Sequence, residues 1–126
     1  MQLYGYKVGL NMSNEQLVKA FDILRYCMPK ELVVHFDTAM QKTTIHCCNI
    51  FTTRAEMFCQ WASILEESYE ICKEEFDKVS NSFNRRWFAY LSERFTSIIL
   101  DAFELSGRKK IFLPLLTIDG NIHKEK

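Results

Sequence analysis

Two long helical patterns constrain this chain more than anything else in it. Residues 54–76, RAEMFCQWASILEESYEICKEEF, place Met57, Phe58, Trp61, Leu65, Tyr69, Cys72 and Phe76 on one stripe. Glu66, Glu70, Lys73 and Glu74 lie on the far side. A second pattern runs over 84–105 around RRWFAYLSERFTSIIL, residues 85–100. At 1.5 Å per residue each helix is about 33 Å long, roughly the width of a small domain. A chain of 126 residues must wrap its other elements around these two rods. An apolar stripe holds a helix only when something covers it, so the helices need a sheet or each other. Apolar residues make up 48% of the chain, with ten Phe, five Tyr and two Trp, which is enough for a real core and too much for disorder.

The rest of the chain supplies shorter signals. Ser13 stands at a helix cap with Gln16 at the capping-box position, and Leu17, Ala20, Phe21, Leu24 and Met28 follow at helical spacing. Pro29 ends that helix, because the residue before a proline disfavours helical torsions. The expected helix spans 14–27. Residues 30–43 stay open, since ELVVHFD fits a short strand or a helical turn. The stretch TTIHCCNIFTT, 43–53, is rich in β-branched and aromatic residues and reads as a buried strand over about 44–52. Residues 111–117 read as a second strand, with Pro114 marking an edge or a bulge. Alternation in LYGYKVGL hints at a further short strand near the start, and DGNIHKEK reads as a frayed tail. The expected fold class is therefore α/β: three amphipathic helices (14–27, 54–76, 84–105) on a small sheet (44–52, 111–117). Residues 1–126 form a single domain in this reading, shaped like part of a larger layered one.

Composition excludes several function classes. Sixteen basic and sixteen acidic side chains cancel, without a clustered basic stripe, so nucleic acid is not an expected partner. No run of about eighteen apolar residues is present to span a membrane. The opening MQLYGYKVGLNMSNEQ lacks the basic start and apolar middle of a signal peptide, which points to the cytoplasm. The five cysteines, Cys27, Cys47, Cys48, Cys59 and Cys72, are odd in number and irregularly spaced, as expected of reduced, mostly buried thiols. His46, Cys47 and Cys48 with Cys59 or His35 match no zinc-ligand spacing, and adjacent cysteines on a strand point to opposite faces. Cys47 has no recognisable partner as a nucleophile. There is no glycine-rich phosphate loop and no serine elbow.

The chemistry-bearing residues sit on the second long helix. At about 100° per residue, Trp87, Phe88, Leu91, Phe95, Ile98, Ile99 and Ala102 fall on one arc. Arg86, Tyr90, Glu93 and Ser97 line the opposite side, with Ser92 and Arg94 near the boundaries. Two readings stand. The row is a solvated face whose members support the helix by a few tenths of a kcal/mol per pair. Alternatively it faces a cleft, where Glu93 serves as a general base and the arginines neutralise a phosphate. Asn49 poses the same choice within its apolar strand. It is either a structural amide bonded to backbone or a ligand contact at a strand end.

CCNIFTTRAEMFCQWASILEESYEI, then RRWFAYLSERFTSIIL, then IFLPL resemble the C-terminal half of a bacterial glycosyltransferase-like domain family. That family was first catalogued as a domain of unknown function and is associated with capsular polysaccharide and lipopolysaccharide O-antigen synthesis. Its members look like compact relatives of GT-A sugar transferases. The likeness covers most of 12–116. Its most specific element is Leu91-Ser92-Glu93-Arg94 after the Asn49 strand, with Cys59, Trp61 and Arg86 also matching. Ala89 stands where the family usually has glycine, and Tyr90 where it usually has phenylalanine.

The resemblance implies transfer of a hexose from a nucleotide sugar to a surface glycan. Glu93 would be catalytic, and Asn49, Arg86, Arg94 and Ser92 would bind substrate. The family's N-terminal half, with its His-Tyr-Arg-Arg motif, has no counterpart here. Nor is there an Asp-x-Asp motif, Asp101 and Asp119 being isolated. A divalent cation, manganese or magnesium, therefore enters only if a missing half supplies its ligands. The expected partners are a nucleotide sugar, a glycan acceptor, and a complementing N-terminal half or a second copy. The alternative is an inactive α/β interaction module that self-associates through the apolar surface left by the missing sheet.

Overall fold

The computed structural model describes residues 12–42, 51–76, 87–109, 111, 115–116 and 122–123. These residues build a helical assembly. Helix α1 is Asn14–Cys27, α2 is Lys30–Val33, α3 is Phe36–Met40, α4 is Ala55–Phe76 and α5 is Trp87–Leu105. The hairpin partners are β1, Leu115–Leu116, and β2, Ile122–His123.

The ends of the helices follow from local chemistry. Ser13 Oγ accepts from the Gln16 amide at 3.1 Å, and Gln16 Oε1 accepts from the Ser13 amide at 2.9 Å. This reciprocal box satisfies two of the N–H groups that a helix start leaves unpaired. Met28 is extended ahead of Pro29, which closes α1. Helix α5 stops in a Schellman turn. The Arg108 amide reaches the Phe103 carbonyl and the Gly107 amide the Glu104 carbonyl, both at 3.0 Å. Gly107 takes φ of 107°, a conformation that side-chain-bearing residues rarely adopt.

Helix α5 lies at the centre. It packs against α2, α3 and α4, and its Phe95 ring meets Phe21 of α1 edge-on at 5.4 Å. Phe76 against Trp87, Tyr69 against Phe88, and Trp61 against Thr96 place α4 and α5 antiparallel. Helix α1 also runs along α4, where Lys19 pairs with Glu75. Arg25 of α1 pairs with Asp37 of α3 and covers the Phe36 ring at 4.5 Å. Leu17, Leu24, Leu32, Phe36, Cys72, Leu91, Phe95, Ile98 and Ile99 are fully enclosed, so one core joins all five helices. Burying such side chains contributes about 1.5–3 kcal/mol each relative to exposure.

This arrangement corrects the expected α/β fold. Among the described residues the helices cover one another's apolar stripes and do not lie on a sheet. Residues 51–54 are not in a strand, and 44–50 of the expected strand lie outside the described residues. Of the expected strand at 111–117, Ile111 is not paired and only Leu115–Leu116 is described as strand. It pairs antiparallel with Ile122–His123, Leu115 opposite His123 and Leu116 opposite Ile122. The described ladder, two residues long, is no layer for helices of 22 and 19 residues to rest on. It also corrects the reading of DGNIHKEK as simply frayed. ELVVHFD, left open above, contributes to α2 and α3, showing tertiary packing overriding a weak strand propensity.

Candidate functional site: a polar row on the central helix

Helix α5 carries one polar row along its length. Tyr90, Glu93, Arg94, Ser97, Asp101 and Glu104 fall within an arc of about 100°. The row is not uniformly wet. Tyr90 is exposed and Glu93 is half-buried, but Arg94 is 4%, Ser97 1% and Asp101 3% exposed. Ser97 thus departs from the expectation of an outward face. The covering element is the end of α3. Lys42, whose amide still bonds the Ala39 carbonyl, sits across the row. Arg94 Nη2 donates to the Lys42 carbonyl at 3.4 Å. The Lys42 ammonium lies 3.3 Å from Glu104 Oε1 and 4.0 Å from Asp101 Oδ1. The Lys42 ammonium thus stands between two carboxylates, the enclosed Asp101 and the partly exposed Glu104, while the enclosed Arg94 guanidinium meets a main-chain carbonyl.

The predicted site residues separate. Glu93 and Arg94 are neighbours on α5, one half-open and one covered. Ser92 turns its hydroxyl back to the Ala89 carbonyl at 2.8 Å, the ordinary arrangement of a helical serine. Asn49 and Arg86 lie outside the described residues. Lys42 and Glu104 were absent from the sequence reading, and Asp101 entered it only as an isolated carboxylate. The available signal was the spacing: continuing the row beyond Ser97 by the same helical steps reaches Asp101 and then Glu104.

Flanking the row, Trp61 of α4 donates its indole N–H to Thr96 Oγ1 at 3.0 Å, and Thr96 is wholly buried. The Phe51 and Phe58 rings stack around the same indole, with centroids at 5.0 and 5.3 Å. Phe58 is half exposed.

Thiol chemistry is disfavoured where the thiols are enclosed. Burial first, then the neighbouring Cys27 and Glu75, pushes the Cys72 thiol up to about 12. Burial likewise raises Cys27, partly offset by the adjacent Ser68 hydroxyl. Both thiols stay protonated and unreactive at neutral pH, and Cys59 is free and exposed. Among the described residues no group of three or more His, Cys, Asp or Glu is placed to hold a metal ion. Cys47, Cys48 and His46 lie outside them. No helix among the described residues is long and apolar enough to cross a membrane.

What the row can do chemically is divided along its length. Near its start it offers a half-buried carboxylate at Glu93, and further along it offers an ammonium held between two carboxylates. No curated protein and no solved structure matches this chain. Residues 4–104, which include α1 to α4 and nearly all of α5, match a family described as a domain of unknown function, DUF4422, and the chain belongs to that family.

Proposed function

We propose that this chain is a glycosyltransferase, or the acceptor-side part of one, moving a hexose from a nucleotide sugar to a bacterial surface polysaccharide. The observation that carries the reading is Glu93. It is a half-buried carboxylate within Leu91-Ser92-Glu93-Arg94, on a polar row of the central helix and directly before the enclosed run from Arg94 to Ile99. In the proposed reaction Glu93 accepts the proton of an acceptor hydroxyl. That oxygen forms a bond to the anomeric carbon, and the bond from that carbon to the diphosphate breaks, releasing a nucleoside diphosphate. General-base assistance of this kind contributes about 10²–10⁴-fold. Asn49 and Arg86 are proposed contacts to the donor. A divalent cation on the diphosphate would need ligands beyond the described residues. The cytoplasm, where nucleotide sugars are made, is the proposed compartment.

The test is titration of the purified chain with uridine and guanosine diphosphate sugars, with and without manganese, followed by transfer to a glycan acceptor. Saturable binding that Glu93→Gln leaves within about twofold, with transfer reduced about a hundredfold or more, supports the role. Absence of binding by every nucleotide sugar, with a stable dimer in solution, refutes it in favour of an inactive interaction module.

A further inference from the structure

We propose that Arg94 is a positioning residue, which fastens the end of α3 to α5 beside Glu93 and does not bind the donor diphosphate. What it positions rests on the transferase reading above. The fastening itself rests on geometry alone.

Three observations carry it. First, the guanidinium is enclosed. Arg94 is 4% exposed and donates to the main-chain carbonyl of Lys42 at 3.4 Å. A donor arriving from solvent would have to displace the chain at residue 42 to reach it. Second, residue 42 is held at both ends by the same helix. Its carbonyl meets Arg94, and its ammonium meets Glu104 at 3.3 Å and approaches Asp101 at 4.0 Å. Those three α5 residues span about 15 Å of helix axis. A single lysine therefore ties α3 down along half the length of α5, and so sets how α5 is rotated beneath it. Glu93 is the next residue on that helix, and its direction depends on that rotation. Third, the four charges cancel. Lys42 faces Asp101 and Glu104, and Arg94 lies on the same row, so two cations stand with two carboxylates and these four residues offer no surplus positive charge. A diphosphate, carrying at least two negative charges, is bound by uncompensated cations.

Arginine suits this task better than lysine. Its planar fork holds a fixed direction toward an acceptor and stays charged when buried. Arg94→Lys keeps the charge but loses that reach and direction. Lys42→Met removes the ammonium while retaining the carbonyl that Arg94 uses.

The experiment compares the wild-type chain, Arg94→Lys, Lys42→Met and the double variant. Thermal melting and the steady-state kinetics of sugar transfer are measured at a temperature where every variant is folded. Each single variant is expected to melt several degrees lower. The double variant should lose less than the sum, because either change frees residue 42. In both single variants kcat should fall about ten- to a hundredfold, as expected when a catalytic group is misplaced by a fraction of an ångström. KM for the nucleotide sugar should stay within about twofold.

A KM raised tenfold or more in Arg94→Lys, with melting and kcat unchanged, makes Arg94 a phosphate ligand and overturns the proposal. Unchanged kcat in both folded variants also overturns it, because Arg94 is then a stability residue only. Strict additivity of the melting shifts overturns the fastening itself. A wild-type chain with no turnover of any nucleotide sugar removes the transferase reading, and with it a site to position. That failure shows before any variant is compared.

Discussion

Trp61→Phe, Thr96→Val and the double substitution form a cycle that asks what joins α4 to α5 beside the polar row. Thr96 is wholly buried, and its Oγ1 accepts from Trp61 Nε1 at 3.0 Å. The two single changes strand different groups. Thr96→Val removes the acceptor with little change of shape, and the half-buried indole N–H can turn to water. The expected cost is about 1 kcal/mol, the net worth of one hydrogen bond. Trp61→Phe leaves the Thr96 hydroxyl enclosed and unpaired, at about 1–3 kcal/mol. The low end applies, because a helical threonine can bond back to the carbonyl one turn earlier. The same change trims ring area from contact with Phe51 and Phe58, adding about 1 kcal/mol. Trp61→Phe should therefore cost about 2–3 kcal/mol. In the double variant no hydroxyl remains to be stranded, so its loss should fall short of the sum by about 1 kcal/mol. Urea unfolding followed by far-ultraviolet dichroism measures all three. In thermal melts each kcal/mol moves the midpoint by about 4 °C for a chain of this size. Additivity within about 0.3 kcal/mol refutes the reasoning, because Thr96 would then already be satisfied inside its own helix.

Three further outcomes are expected. Ser13→Ala removes the cap of α1 and should cost about 1 kcal/mol in urea unfolding, and an unchanged midpoint would show the capping box to be idle. Ser68→Ala should be neutral or stabilising by up to about 1 kcal/mol, since the buried Ser68 Oγ has no hydrogen-bond partner and its Cys27 neighbour offers only a weak sulfur contact. A loss of stability in that variant would mean the hydroxyl is well paired. The Cys72 thiol is raised from 9.0 to about 12, so the folded chain keeps that proton longer than the unfolded chain does. The stability it contributes is complete below pH 9.0 and is lost as pH rises toward about 12. Unfolding free energy measured from about pH 8 to about pH 11 should thus fall more steeply for the wild type than for Cys72→Ala, and parallel slopes would contradict the burial of this thiol.

Parts of the fold were legible because their causes lie within a few residues. Ser13 with Gln16 and Met28 before Pro29 each mark a helix end through a bond or torsion that needs no distant partner. The stripe from Met57 to Phe76 marks α4 for the same reason, since spacing alone places those residues on one face. The α/β expectation had a different basis. It read β-branched and aromatic runs as strands, and such runs suit any enclosed surface. Whether ELVVHFD becomes strand or helix depends on what lies against it, and α5 lies against both α2 and α3.

The site divides in the same way. The chain's own spacing determined that α5 has a polar row with Glu93 in it, because helical periodicity is a property of the backbone. Only the tertiary structure decided which part of that row meets water. Arg94 and Asp101 carry groups that usually face solvent, yet both are enclosed, with Lys42, far away in sequence, bringing its carbonyl to one and its charge to the other. A buried polar side chain is tolerated only where its partner arrives. That arrival is a fact of packing between α3 and α5, which no local pattern in either segment contains.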